Sequence, residues 1–357
     1  MRVIISAGGT GGHIYPALAI INKIKQMEPT SEFLYIGTHN RMEKDIVPNQ
    51  GIPFKSIKVF GFNRKKIYKN FKTVYYLFKN KSVCKKIIKE FNPDVVIGVG
   101  GYVTVPVLTE AHKLGYKTVI HEQNSVPGKA NKMLSKTADL ICISLENTLS
   151  YFPKDKTIFT GNPVAENALE AKPISKQELG IKGDKKLVLF VMGSLGASTV
   201  NDVIVNSFEK LSKEDYEVVF ITGKNDYENV MKNNIPASIH VYPYIDGLAG
   251  VLKNTDLIVT RAGASTISEL IALSVPSILI PSPYVPDDHQ TKNAMALVNK
   301  KAAVILPEKE LTSDTLVSNI NSIINDDQKI NEMKNNLKAL DISNSATKIY
   351  EEIKKIS

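Results

Sequence analysis

Short apolar runs of four to six residues recur along this chain, separated by stretches whose apolar positions repeat at helical spacing. In the first half, residues 2–6, 33–36, 95–99, 118–121 and 140–143 are rich in Val and Ile. Such runs read as strands buried on both faces, and the amphipathic stretch 17–26 reads as a helix between two of them. Strand and helix in alternation predict an α/β fold, a parallel sheet with helices on both sides. The pattern then restarts. Residues 187–192 read as a strand, 193–198 as a glycine loop and 200–211 as a helix, followed by strands at 218–222, 257–260 and 277–280.

A strand, glycine loop and helix opening therefore occurs twice, near residues 2 and 187. That predicts two Rossmann-like domains, not a solenoid. The expected division is 1–162 and 163–345, with a Pro- and Lys-rich linker running from Gly161-Asn162-Pro163 to about Lys185. The last stretch, 346–357, predicts a helix that returns to the first domain.

Composition narrows the class. At 357 residues and 43% hydrophobic, the chain has enough length and apolar content for two cores. No stretch of about 18 apolar residues is present to span a bilayer. Residues 1–7 meet a glycine loop at once, which suits a buried strand better than a secretion signal. The expected location is the cytosol or the inner membrane face. Cys84 and Cys142 are too few for a disulfide framework, and the six His show no metal-ligand spacing, so no tightly held metal is expected. Residues 1–162 hold 24 Lys+Arg against 11 Asp+Glu, a net +13, whereas the remainder carries −4. The first half therefore seeks an anionic partner.

Three glycine turns follow predicted strands: Gly8-Gly9-Thr10-Gly11-Gly12-His13, Gly98-Val99-Gly100-Gly101-Tyr102 and Gly193-Ser194-Leu195-Gly196-Ala197. Glycines let backbone N–H groups approach phosphate, and a helix start adds partial positive charge. The first turn equally fits a tight strand-to-helix connection, and none has Walker A or dinucleotide spacing. His13 stands where the helix dipole disfavours an imidazolium, so a neutral ring there can accept a proton or simply cap the helix. Arg261-Ala262-Gly263-Ala264-Ser265-Thr266-Ile267-Ser268-Glu269 predicts a helix from about Thr266, with Thr266 and Glu269 spaced as a capping box. The same carboxylate could instead grip two ribose hydroxyls. Asp287-Asp288-His289-Gln290 offers sugar-binding polar groups or a solvated loop.

Residues 60–89 hold ten Lys/Arg and no acid, interleaved with aromatics. Ile67, Lys69, Phe71, Lys72, Tyr75 and Phe78 are its candidate contacts with an anionic membrane surface. An ordinary basic helix with a buried apolar face fits the same pattern. No nucleic-acid motif accompanies it, so nucleic acid is not an expected partner.

Taken in order, Gly8 to His13 with Ile14-Tyr15-Pro16, Gly100-Gly101-Tyr102, His121-Glu122-Gln123-Asn124, Gly161-Asn162-Pro163, Gly193 to Ala197, Arg261 to Glu269 and Asp288-His289-Gln290 resemble the MurG family. These are N-acetylglucosaminyltransferases of peptidoglycan synthesis, and the resemblance runs over essentially the whole chain. It implies a GT-B fold, two Rossmann-like domains facing across a cleft. It implies UDP-N-acetylglucosamine as donor, lipid I as acceptor and lipid II as product. No cofactor is implied beyond a Mg²⁺ that could accompany the acceptor pyrophosphate.

By the same resemblance Thr10, Gly11, Gly12 and Asn124 meet the donor, Ser194 its diphosphate and Ile245 the uracil through backbone. Ala264, Ser265, Thr266, Ile267, Ser268 and Glu269 cradle phosphate and ribose, and Gln290 holds sugar hydroxyls. Gly100, Gly101 and Tyr102 fall to the acceptor. His13 is the first candidate base and Glu122 the second. The chain departs from many relatives at Ala165, where they carry a basic residue, and at His289, where some carry Gln. Other expectations are a different UDP-sugar enzyme, either a lipid glycosyltransferase or a UDP-N-acetylglucosamine 2-epimerase, and a non-catalytic nucleotide-sugar or membrane-surface binder.

Overall fold

The computed structural model describes residues 1–59, 70–193, 197–341 and 343–357. It divides into two compact units, Met1–Val164 with Asn344–Ser357, and Ala165–Ser343. Each is built on one sheet with every strand pair parallel.

The first sheet contains β1 (Arg2–Ala7), β2 (Glu32–Thr38), β3 (Phe54–Ile57), β4 (Val95–Gly100), β5 (Lys117–Glu122), β6 (Leu140–Ile143) and β7 (Thr157–Phe159). Its order is β3-β2-β1-β4-β5-β6-β7. The second contains β8 (Lys186–Val191), β9 (Tyr216–Ile221), β10 (Ile239–Tyr242), β11 (Leu257–Thr260), β12 (Ser277–Leu279) and β13 (Ala303–Ile305), in the order β10-β9-β8-β11-β12-β13. Winding reverses between β1 and β4 and between β8 and β11. In open α/β sheets the loops at the carboxyl ends of such neighbours hold ligand.

Central strands are apolar because helices cover both faces, and all six residues of β4 are buried. The helix Gly11–Met27 places Ile14, Ala17, Ile21 and Ile24 on one face, and all four are fully buried. In the second unit Phe190 and Phe208 both meet Phe220 edge-on, at 6.2 and 6.3 Å between ring centroids.

The structure corrects several sequence expectations. β3, β7, β10 and β13 were not anticipated. The first helix begins at Gly11, inside the glycine motif, and carries Pro16 within it. The helix expected over 200–211 is two, Ser198–Asn206 and Phe208–Leu211. At the break, the Ser207 hydroxyl donates back to the Val203 carbonyl at 2.7 Å.

The last helix, Ser345–Ile356, packs in the first unit, where Ile349 and Ile353 join the core of Ile14, Ile21 and Ile24. Its polar face is tied to Glu28, which takes Lys354 Nζ at 2.7 Å and the Tyr350 hydroxyl at 3.0 Å. Lys354 first, and Tyr350 after it, hold the Glu28 carboxyl down from an ordinary 4.5 to about 2. A depressed carboxyl stabilises above its unfolded value, and that contribution fades as pH falls toward the folded value. Both partners remain part-exposed, so solvent screening leaves roughly 1 kcal/mol. Glu28→Gln should cost the first unit about that much at pH 7 and flatten the acid limb of its stability between about pH 4.5 and 2. Denaturant titrations across that range check it.

Candidate active site

In the first unit, β1 runs into Gly8-Gly9-Thr10 and β4 runs into Gly101-Tyr102. The two glycine loops touch, and Gly8 N–H donates to the Gly100 carbonyl at 3.2 Å. Gly101, at φ +90, has no room for a side chain, because a Cβ would stand 2.5 Å from the Gly8 carbonyl oxygen. A Cβ on Gly100 would meet the His13 ring at 2.6 Å. His13 turns Nδ1 to the Gly8 carbonyl at 3.0 Å. A carbonyl only accepts, so Nδ1 carries a proton, and in the neutral tautomer Nε2 is the nitrogen with the free lone pair. No described residue bonds to that Nε2. Tyr15 and Tyr102, on the same two loops and helix start, are about half exposed.

Glu122, at the end of β5, is buried and saturated. One carboxylate oxygen accepts Asn124 N–H at 3.0 Å and Asn124 Nδ2 at 3.1 Å. The other accepts Gly128 N–H at 3.0 Å and Asn131 Nδ2 at 2.9 Å. Four donors leave Glu122 fitted to shaping the Asn124 loop and poorly fitted to taking a proton. His121 is fully buried, its Nε2 facing the Gly161 carbonyl at 3.2 Å and its Nδ1 facing Gln123 Nε2 at 3.0 Å. Burial pushes it down to about 4, so it stays neutral and structural.

In the second unit the helix after β11 is Ala264–Leu273, with Gly263 at its N-cap. It starts two residues before the expected position, so the Thr266–Glu269 capping box does not form. The first-turn N–H groups of Ala264, Ser265 and Thr266 lie beyond the intrahelical ladder, as at any helix start. Ser265 Oγ is buried without a partner among the described residues. Ser268 Oγ is used on the Ala264 carbonyl at 2.9 Å. Ile267 is fully buried and serves the core.

Glu269 carries no hydrogen bond or ion pair to any described residue. It is only partly exposed, and desolvation pushes its carboxyl from an ordinary 4.5 up to about 7. A carboxylate kept dry with no donor is fitted to receive hydroxyls from a ligand.

The loops after other strands of the same sheet hold the remaining candidates. Ile245 packs its side chain toward the core beyond β10. Gln290 opens the helix His289–Val298 and uses Oε1 to accept Ser282 N–H at 2.8 Å, leaving its amide nitrogen. Asp287 and Asp288 precede it at φ 55 and 50, a left-handed pair that aspartates tolerate and that cluster at functional loops. Ser194 lies outside the described residues, as do Ile67 and Lys69.

The helix Asn70–Phe91 carries the rest of the basic segment. Cys84 and Ile88 are fully buried on its inner face, as for an ordinary amphipathic helix. Tyr75 is exposed, with Lys79 Nζ over its ring at 6.0 Å. The side chains of Phe71, Lys72 and Phe78 lie outside the described residues. No described helix is long and apolar enough to cross a membrane.

Comparison with known proteins decides the family. Residues 3–143 match the glycosyltransferase family 28 N-terminal domain, and residues 187–353 match the glycosyltransferase family 28 C-terminal domain. The chain belongs to glycosyltransferase family 28. A Bacillus cytotoxicus relative named UDP-N-acetylglucosamine–N-acetylmuramyl-(pentapeptide) pyrophosphoryl-undecaprenol N-acetylglucosamine transferase is 47% identical, covering 100% of this chain and 99% of its own length. A Bacillus cereus relative of the same name, numbered 1, is 46% identical with the same coverage. The crystal structure of Acinetobacter baumannii MurG superimposes with a TM-score of 0.80 at 28% identity over 99% of each chain. The two all-parallel units are thus the two halves of a GT-B glycosyltransferase.

This family 28 chain also holds one residue that its sequence did not single out, Glu43, and one, Arg261, that stood in a motif without a role. Glu43 is fully buried beneath the first glycine loop. The clue was Gly37 inside β2, since a glycine within a strand marks a close approach. What approaches is Glu43, whose Cγ would lie 2.7 Å from a Cβ there. Arg261 is nearly buried and pairs with Glu308 at 2.7 Å, which fixes the entry to the Glu269 helix. Nothing in the local spacing linked two residues 47 apart.

Proposed function

We propose that the chain transfers N-acetylglucosamine from UDP-N-acetylglucosamine to the muramyl 4-hydroxyl of lipid I, giving lipid II. The second unit takes the donor. Glu269 receives the ribose hydroxyls, the first-turn amides of Ala264, Ser265 and Thr266 face the diphosphate, and the Gln290 amide nitrogen donates to the sugar. The observation that carries this reading is Glu269, a desolvated carboxylate with no donor among the described residues, in the helix after β11 of a family 28 chain.

The reaction is an inverting displacement. The acceptor hydroxyl attacks the anomeric carbon, its proton passes to His13 Nε2, and UDP leaves with its charge met by backbone amides. Glu122 holds the Asn124 loop and takes no proton. Mg²⁺, where it takes part, travels with the acceptor pyrophosphate. The enzyme works at the cytoplasmic face of the membrane, with the basic helix Asn70–Phe91 on the anionic surface, and uses no nucleic acid.

One assay tests both halves. Radiolabelled UDP-N-acetylglucosamine is given with a lipid I analogue in anionic or neutral vesicles. Labelled disaccharide-lipid, formed faster on anionic vesicles and slowed by salt, is expected. UDP-N-acetylmannosamine formed without acceptor would mark an epimerase instead.

A further inference from the structure

We propose that Glu43 is a positioning residue for His13, acting through the single peptide group between Gly8 and Gly9. The N–H of that group belongs to Gly9 and donates to Glu43 Oε2 at 3.3 Å. Its C=O belongs to Gly8 and accepts from His13 Nδ1 at 3.0 Å. N–H and C=O of a trans peptide point in opposite directions along one rigid plane. A carboxylate, a peptide and an imidazole therefore stand in one hydrogen-bonded line.

The room for this line is built in. A Cβ on Gly8 would lie 2.5 Å from Glu43 Oε1, and one on Gly37 would crowd Glu43 Cγ. Glu43 Oε1 accepts Thr38 N–H at 2.9 Å and the Thr38 hydroxyl at 2.6 Å. Donors thus meet both oxygens, which suits the ionised form, and among the described residues no cation pairs with it. Leaving a fully buried carboxylate without a counter-ion is costly, and stability alone gives no reason for it.

The line supplies a reason. Negative charge at the N–H end polarises the peptide and makes the Gly8 oxygen a stronger acceptor. A stronger acceptor holds the Nδ1–H tautomer and raises the basicity of Nε2, as a carboxylate does when bonded directly to a histidine. His13 bonds to the uncharged Gly8 carbonyl, its ring packs on the Gly100 backbone, and among the described residues it has no ion pair. The titratable group facing Glu43 is the buried Tyr35 hydroxyl on β2, which burial and the Glu43 charge both push upward.

The inference rests on His13 as base, and the two can fail separately. The ring nitrogens of His13 are followed by NMR in ¹⁵N-histidine-labelled full-length protein, wild type and Glu43→Gln. The expected result is Nδ1–H in wild type and a tautomer mixture with a lowered titration midpoint in the variant. With it should come a fall in kcat of about tenfold, the size of one charge-assisted hydrogen bond, with donor KM within about twofold. Glu43→Asp, which keeps the charge, should recover part of both and serves where the Gln variant does not fold. Unchanged His13 nitrogens in a folded variant overturn the inference, whatever happens to kcat. A changed tautomer with unchanged kcat upholds the coupling and removes His13 as base.

Discussion

Replacing Glu269 by Gln should weaken UDP binding on the order of 100-fold and, in the free protein, raise stability above pH 7. The two effects have opposite signs because they share one cause. Among the described residues the carboxylate has no donor, and desolvation lifts it from 4.5 to about 7. Between those values the native state holds a proton that the unfolded chain has lost. Stability therefore is greatest below the unfolded value and declines as pH rises through about 7, by roughly 3 kcal/mol in all. An amide does not titrate, so the variant escapes this decline, though its own unmet polar atoms return part of the gain.

The ligand reverses the balance. Two ribose hydroxyls donating to a charged oxygen are each worth roughly 1.5 kcal/mol at the low end, which gives the stated fold-change. Wild-type affinity for UDP-N-acetylglucosamine, whose diphosphate has no group titrating near neutrality, should then rise from pH 6 to 8 and that of Glu269→Gln should stay flat. Calorimetry in buffers of different ionisation heat should find proton release near pH 7 only in the wild type. Affinity that ignores pH in both proteins would remove Glu269 from the ribose.

That carboxylate also marks how far the sequence could be read. Local spacing offered two readings of Thr266 and Glu269, and only the helix start could choose. Gly263 caps the helix, so Glu269 falls on the sixth residue, a turn too late to reach back to the cap. The strands divide in the same way. All nine interior strands were legible, because helices on both faces demand a run of apolar residues. The four missed strands are the four sheet edges. An edge strand is covered less, and β3 reads Phe-Lys-Ser-Ile with its two middle residues exposed. Polar residues there are what an edge tolerates, and they erase the signal. Glu43 was hidden for a third reason. Its partners are the Gly9 and Thr38 N–H groups and the Thr38 hydroxyl, in two other segments, and no side-chain motif records such a set.

His13→Ala should lower kcat by about 10²–10⁴-fold, the range for loss of a positioned general base. Donor affinity should change by less than about twofold, since the group His13 is proposed to meet is the acceptor hydroxyl, and most of the donor's proposed contacts, Glu269 and Gln290 among them, lie in the second unit. Alanine alone does not separate chemistry from structure, because it also removes the Nδ1 bond to Gly8. Asparagine makes that separation. Its Nδ2 can stand near the place of Nδ1 and donate to the Gly8 carbonyl, while nothing replaces Nε2. His13→Asn should therefore melt closer to wild type than His13→Ala and be equally slow in single-turnover transfer from UDP-N-acetylglucosamine. If Asn instead restores kcat to within about tenfold of wild type, the ring serves to pin the glycine loop and the acceptor proton leaves by another route. If both variants are slow and both keep UDP affinity, the loss belongs to the acceptor side, where the bare Nε2 is the group removed from each.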